Sequence, residues 1–356
     1  MSRVEKERAA PMESGAQAER RSVVTLREVA EAAGVSVSTV SRILDDRAAP
    51  SKSATAERVR SVAEQLGYRR NVFASNLRRG ATATIGVLVP RLTDAVMALM
   101  FEAIERAARR QGYFAVVATC GDDAEEERRA TETLLDRGVD GVILATARLD
   151  DSLPASLRER GVPHVLVLRT DGVSASALGD DETGGYLAVR HLLDLGHRDI
   201  GVVTGPSFTS SGQDRLRGAE RAMAEAGVDL RPDRVISTGY GVDDGNAAGL
   251  ALLGADDRPT AIFAANDNLA IGVIGAGRRL GIRPGLDFSI VGYNDIPLAS
   301  RLSPPLTSVA TPFDQIATTA LDLLFAPRSA DPIRRALPTL IPRASTARRE
   351  ASAAGA

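Results

Sequence analysis

Residues 25–45 read TLREVAEAAGVSVSTVSRILD, and few folds accommodate that string. Leu26, Val29, Ala30 and Ala33 recur at i, i+3, i+4 and i+7, which puts them on one face of a helix. Thr25 followed three residues later by Glu28 is a capping box, so the helix start is written into the chain. Gly34 stands where a helix end calls for a left-handed residue, Val35 is free to pack inward, and Ser36 caps a second helix. In that second helix Val40, Ile43 and Leu44 share the inner side. Val37, Ser38, Ser41 and Arg42 are left facing out. Two short helices across a tight turn, with small polar residues and one arginine on the outer face, suit entry into a DNA major groove. An ordinary helix pair in a bundle is the competing reading, and the coincidence of caps, turn and outward polar set disfavours it. A third helix is predicted after Ser53, striped by Val59, Val62, Ala63 and Leu66 and stopped by Gly67.

At 356 residues the chain has room for two or three domains beyond any single small core. No apolar run approaches the ~18 residues of a membrane helix. The opening MSRVEKERAAPMESGAQAERR has no hydrophobic centre and is expected to be a disordered tail, not a secretory signal. One cysteine, Cys120, excludes an internal disulfide, fits a cytoplasmic setting, and reads as a buried structural thiol. Charge is uneven. Residues 1–80 hold 15 Lys/Arg against 10 Asp/Glu, whereas the rest holds 29 against 36, so a basic head precedes an acidic body. Between them YRRNVFASNLRRGATAT (68–84) combines four arginines with Val72, Phe73 and Leu77. It reads either as a solvated linker or as a short helix that orders on DNA, with Leu77 as a minor-groove wedge.

From Ile85 onward, short β-branched runs (IGVLVP, YFAVVAT, GVILAT, HVLVL, DIGVVTG, AIFAAN, FSIVGY) alternate with helical patterns. Those patterns include MALMFEAIERAARRQG, EEERRATETLLDRG, TGGYLAVRHLLDLG and DRLRGAERAMAEAG, each closed by glycine. Repeated βαβ units build parallel sheets with helices on both faces, and ~250 residues fit two such sheets better than one. Ligands of these folds sit beyond the carboxyl ends of the strands.

The chain resembles the LacI/GalR family of bacterial transcription regulators over roughly residues 23–345. The resemblance is carried by TLREVAEAAGVSVSTVSRIL, LGYRRNVFASNLRRG, IGVLVP, RGVDGVILA, LGHRDIGVVTGP, RLRGAERAMAEAG, RPTAIFAANDNLAIGV and SIVGYNDIPLASRLSPPLTSV. It implies an all-α helix-turn-helix headpiece with a hinge helix, and an α/β body of two doubly wound parallel-sheet subdomains like periplasmic sugar-binding proteins. It further implies a homodimer on a pseudo-palindromic double-stranded DNA operator. The layout it suggests is a tail (1–22), headpiece (23–68), hinge (69–84), one subdomain from 85–181 and 312–328, the other from 182–311 and 329–345, and a tail (346–356).

Residue by residue, the resemblance gives Val37, Ser38 and Arg42 to base reading and Ser36, Thr39 and Ser41 to phosphates. Asn71 falls among the DNA-contacting positions and Leu77 matches the intercalating hinge leucine. Asp45 replaces the usual Asn and Arg70 the common Pro. In the body Val96, Met97, Arg169, Arg215, Tyr240, Asn266, Asp267 and Asn294 fall at or near effector-contacting positions. Val96 and Met97 stand where many relatives carry stacking aromatics, and Asn294 where relatives often have Asp. Arg215 is expected at a helix start, gripping a hydroxyl or carboxylate.

Other signals point nowhere. Gly275-Ala-Gly277-Arg-Arg-Leu-Gly281 imitates a dinucleotide loop but lies inside a predicted helix, so no cofactor is expected. His164, His191 and His197 lack metal spacing, so no metal is expected, and no nucleophile–base set marks an enzyme. The C-terminal ASTARREASAAGA lacks a leucine heptad, which favours a dimer over a coiled-coil tetramer. The expectation is a cytoplasmic, effector-responsive regulator, in all expectation a repressor, answering to a sugar or related metabolite. The rivals are a transporter's solute-binding protein, which would have no headpiece, and a nucleotide-cofactor enzyme, which needs a Gly loop that IGVLVPRLTDA lacks.

Overall fold

The computed structural model describes residues 24–44, 51–68, 81–326 and 332–349. The chain divides into two compact units, Met1–Arg79 and Gly80–Ala356. The predicted terminal tail to residue 22, Asp45, and most of the hinge with Arg70, Asn71 and Leu77 lie outside the described residues.

The first unit contains α1 (Leu26–Ala33), α2 (Val37–Ile43) and α3 (Ala54–Gln65). The capping box forms as the sequence dictates. The Thr25 N–H donates to Glu28 Oε2 at 2.6 Å and the Glu28 N–H donates back to Thr25 Oγ1 at 3.3 Å. Gly34 ends α1 at φ +64°, and Ser36 starts α2 by accepting from the Thr39 N–H at 3.2 Å. Ser53 caps α3 in the same way, through the Ala56 N–H at 3.2 Å. Val29, Ala30, Ala33, Val40, Val59 and Ala63 form a buried centre, with Leu26, Val35, Ile43 and Leu44 packed around it. Leu66 departs from its predicted place. It falls on the same helical face as Val59 but, as the residue that closes α3, it is exposed.

The second unit holds two six-stranded sheets. Its strands are β1 (Thr84–Val89), β2 (Phe114–Thr119), β3 (Gly141–Leu144), β4 (His164–Val167), β5 (Ser176–Gly179) and β6 (Ile200–Thr204). They continue with β7 (Val235–Ser237), β8 (Ala261–Ala264), β9 (Ser289–Asn294), β10 (Thr307–Ala310), β11 (Ile333–Ala336) and β12 (Thr339–Ile341). The first sheet runs β11-β5-β4-β3-β1-β2 and the second β12-β10-β9-β8-β6-β7. Every pairing is parallel except β10 with β12. Parallel neighbours need crossovers, and the helices α4 (Ala95–Arg110), α5 (Ala124–Asp136), α6 (Leu153–Glu159), α7 (Asp181–Asp194), α8 (Ser210–Glu225), α9 (Val242–Leu253), α10 (Asp267–Arg279) and α11 (Phe313–Phe325) supply most of them. The four glycines predicted to stop helices, Gly112, Gly138, Gly196 and Gly227, all have positive φ.

Two expectations about the chain's course are corrected. The segment 329–345 does not belong wholly to the second sheet: β11 pairs with β5 in the first, and only β12 joins the second. Nor is residue 346 the start of a free tail. Thr346 Oγ1 lies 3.0 Å from His191 Nε2, the Ala347 N–H donates to Ser289 Oγ at 3.0 Å, and the Arg349 N–H donates to the Leu195 carbonyl at 2.8 Å. Backbone polar groups laid on a packed surface need such partners.

Candidate functional site

On α2, Val40 is fully buried and fixes which side of the helix turns inward. Ser36, Val37, Ser38, Ser41 and Arg42 are exposed and Thr39 is half-buried. Val37 has 39% of its surface exposed. The hydroxyls are already organised: Ser36 Oγ lies 2.9 Å from Ser38 Oγ and 2.8 Å from Thr39 Oγ1. The result is one face of small polar groups with a single guanidinium, held by a helix whose start is capped.

The second site lies between the two sheets, at the carboxyl ends of their strands. The chain leaves β1 for Asp94, Val96 and Met97 and leaves β4 for Leu168 and Arg169. From the other sheet β6 leads to Ser211 and Arg215, β7 to Tyr240, β8 to Asn266, and β9 ends in Asn294. Together these line a cleft of about 370 Å³, counting its open mouth. Leu168 and Asn294 have φ of +63° and +95°, so backbone strain is held at the rim on both sides. Seven of the eight sequence-predicted body residues meet here.

The geometry distributes roles. Arg215 lies in the second turn of α8 and not at the helix start; its Nε donates to Asp181 Oδ1 at 2.8 Å and its Nη1 to the Ala265 carbonyl at 2.5 Å. The guanidinium also sits 3.8 Å from the centroid of the buried Tyr293 ring. Burial alone would lower the Arg215 pKa, but Asp181 beside it holds the group above its usual value, so it stays charged. Asn266 caps α10 through the Leu269 N–H (2.8 Å) and donates to the Tyr240 carbonyl (3.1 Å). Asn294 Nδ2 donates to Thr311 Oγ1 at 3.0 Å, and Tyr240 Oη lies 3.0 Å from Thr209 Oγ1. Asp94 accepts from the Val96 N–H at 3.0 Å, and burial raises its pKa.

Asp267 is the eighth residue, and it does not line the cleft. It is fully buried, with Oδ1 accepting from Ser308 Oγ at 2.6 Å and Oδ2 from the Ile296 N–H at 2.8 Å. It ties α10 to the segment after β9. Asp94, Leu168 and Ser211 line the cleft but were not singled out individually. Ser211 sits in the first turn of α8, four residues before Arg215, and Leu168 is beside Arg169, so adjacency was the available signal.

The two lobes also touch directly. The Leu149 N–H donates to the Phe208 carbonyl and the Thr170 N–H to Ser210 Oγ, both at 2.9 Å, while the Arg148 guanidinium stacks 3.7 Å above the Phe208 ring. Cys120 is buried and its thiol is pushed up to about 12 by that burial, which makes it a structural thiol and a poor nucleophile. Among the described residues no cluster of three His, Cys, Asp or Glu has the makings of a metal site. Among them, too, no helix is long and apolar enough to cross a membrane.

Residues 25–71 match the lacI family of bacterial regulatory proteins, and residues 189–346 match the periplasmic binding protein-like domain. The chain is 32% identical over 305 residues to the HTH-type transcriptional repressor PurR of Vibrio cholerae, covering 85% of this chain and 90% of PurR. It is 33% identical over 306 residues to the ribose operon repressor of Haemophilus influenzae, covering 85% and 91%. The crystal structure of the Lac repressor dimer bound to operator and the anti-inducer ONPF superposes with a TM-score of 0.80 at 28% identity, covering 91% of this chain and 99% of that one. With an exposed, capped recognition helix on one unit and a two-lobed cleft in the other, the chain is a member of the lacI family of bacterial regulatory proteins, a helix-turn-helix regulator of transcription.

Proposed function

We propose that the protein is a repressor that binds a pseudo-palindromic operator as a homodimer and is controlled by a small carbohydrate-like molecule held in the cleft. The observation that carries this reading is the face of α2: Val37, Ser38 and Arg42 stand exposed on a helix whose opposite side is pinned by Val40. Arg42 presents a fork that matches guanine O6 and N7, worth about 1–3 kcal/mol of discrimination. Ser36, Thr39 and Ser41 take phosphates, which set register without reading sequence. By the family resemblance Asn71 and Leu77 are assigned DNA contacts as well. The relatives' names as repressors, and a neighbour caught with operator and an anti-inducer, support the same roles here.

Control follows from the cleft. A ligand bridging Arg215 and Asn266 on one lobe with Val96 and Met97 on the other changes the balance between closed and open lobes. A coupling of about 1–3 kcal/mol suffices to alter operator occupancy strongly. The test is salt-dependent binding to a palindromic site upstream of the protein's own gene. Arg42→Ala is expected to weaken binding about 5- to 150-fold and to relax preference at one base pair. Affinity unchanged in a variant carrying both Arg42→Ala and Leu77→Ala would refute the DNA assignment.

A further inference from the structure

Three arginines are buried in the described residues, Arg169 at 6% exposure, Arg215 at 6% and Arg234 at 3%. Two of them have carboxylate partners: Arg215 with Asp181 at 2.8 Å, and Arg234 with Asp199 at 3.0 and 3.2 Å. Arg169 is the exception. Among the described residues its guanidinium makes no hydrogen bond and no ion pair; its one specific contact is the Tyr240 ring, whose centroid lies 5.5 Å away. It borders both the cleft and an adjoining recess lined by Glu127, Thr146 and Arg148.

Nearby carboxylates attract it from a distance, but none forms an ion pair or hydrogen bond with it. Asp94 accepts from the Val96 N–H and from Asn268 Nδ2 at 3.4 Å, both through Oδ1. Glu127 takes the Thr146 hydroxyl, Asp122 pairs with Arg91, and Arg148 with Asp150. A guanidinium cannot escape burial by losing its proton, and an unpaired buried cation costs several kcal/mol unless something supplies the counter-charge. A hydroxyl accepts from such a fork only weakly, whereas a carboxylate or phosphate accepts two parallel N–H bonds at once.

We infer that Arg169 is the anchor for an oxyanion on the effector, so that the molecule controlling this regulator is acidic, a small polyol carrying a carboxylate or a phosphate ester. The inference rests on the reading of the cleft as the effector site. Arg169 supplies the charge match, and Asp94, Ser211 and Asn294 around it are the right groups to meet hydroxyls. Val96, Met97 and Leu168 meet the carbon skeleton, with no aromatic pair to favour a flat ring.

The test uses the full chain and thermal melting. Without an oxyanion present, Arg169→Met is expected to melt as high as wild type or higher, since it removes an uncompensated charge, whereas Arg234→Met, which breaks a formed pair, melts lower. Inorganic phosphate and D-gluconate are then compared with sodium chloride at equal ionic strength and with D-glucose at equal concentration. At least one of the two oxyanions raises the wild-type melting temperature by about 3 °C or more above both controls. The shift is lost in Arg169→Met and partly kept in Arg169→Lys. The inference is overturned if Arg169→Met melts as low as Arg234→Met, if neither oxyanion exceeds the controls, or if the shift survives in Arg169→Met. Failure to bind operator with the oxyanion shift intact would count against the regulatory reading alone.

Discussion

Arg215→Met tests whether the cleft is built around a buried charge pair. Both members are buried, Arg215 and Asp181 at 6% and 5% exposure, with the Arg215 Nε donating at 2.8 Å. Methionine fills most of the space of the arginine stem but leaves the Asp181 carboxylate without its partner. The carboxylate then has one escape, protonation, and this caps the penalty. Forcing a proton onto a carboxyl with an unfolded pKa of about 3.9 costs about 4 kcal/mol at pH 7 and about 1.5 kcal/mol at pH 5. The variant is therefore expected to lose about 3–5 kcal/mol at pH 7, in line with other broken buried pairs, and to recover about 2–3 kcal/mol of that at pH 5. Asp181→Asn strands the arginine instead, and because a guanidinium does not titrate, its penalty stays constant over the same range. The double variant removes both charges and is expected to be more stable than Arg215→Met at pH 7. Urea unfolding followed by circular dichroism suits a chain without tryptophan. A penalty for Arg215→Met that is flat with pH, or a double variant as unstable as the two single losses added, would refute the buried-charge reasoning.

Two further outcomes are expected. Burial raises the Glu127 carboxyl to about 7, so the folded state holds a proton there that the unfolded chain releases above about pH 4; its contribution to stability falls as pH rises through about 7. Burial depresses all three histidines, which act in the opposite sense near neutrality, so the measurement is a difference: Glu127→Gln melts above wild type at pH 8, and the gain shrinks toward pH 5. A gain that persists unchanged at pH 5 contradicts this. Second, α7 and α8 meet at glycines, and a Cβ on Gly218 would lie 1.9 Å from the Glu182 carbonyl oxygen. Gly218→Ala must push the helices apart and is expected to cost about 3 kcal/mol in the same unfolding assay; a neutral result would mean the helices separate freely.

Much of this was legible because it is local. The capping box at Thr25 and Glu28, the turn at Gly34 and the cap at Ser36 each close within four residues, so the string alone fixes the recognition helix and its outward face. Six of the seven strands read from the sequence are apolar runs buried almost throughout, and the seventh, β2, is an edge strand with Phe114 exposed. β5, β7, β10, β11 and β12 were not readable: SALG, VIS, TSVA, IRRA and TLI hold at most two consecutive apolar side chains, whereas the equally short GVIL, HVLV and AIFA hold three or four. The return of β11 to the first sheet depends on pairing with β5, more than 150 residues earlier, which no local pattern announces.

The cleft shows the same division. The resemblance made Arg169, Arg215 and Asp267 all candidates for the effector site, with Arg215 foremost. Folding gave Arg215 the carboxylate of Asp181, 34 positions away, bound Asp267 to Ser308 and Ile296, and left Arg169 with an aromatic ring alone. The order of amino acids thus determined the headpiece, the two-sheet architecture and the inventory of charges. Which charges neutralise one another, and which one is left facing the cleft, was decided only when distant segments came together, because electrostatic pairing depends on separation in space and a sequence records only separation along the chain.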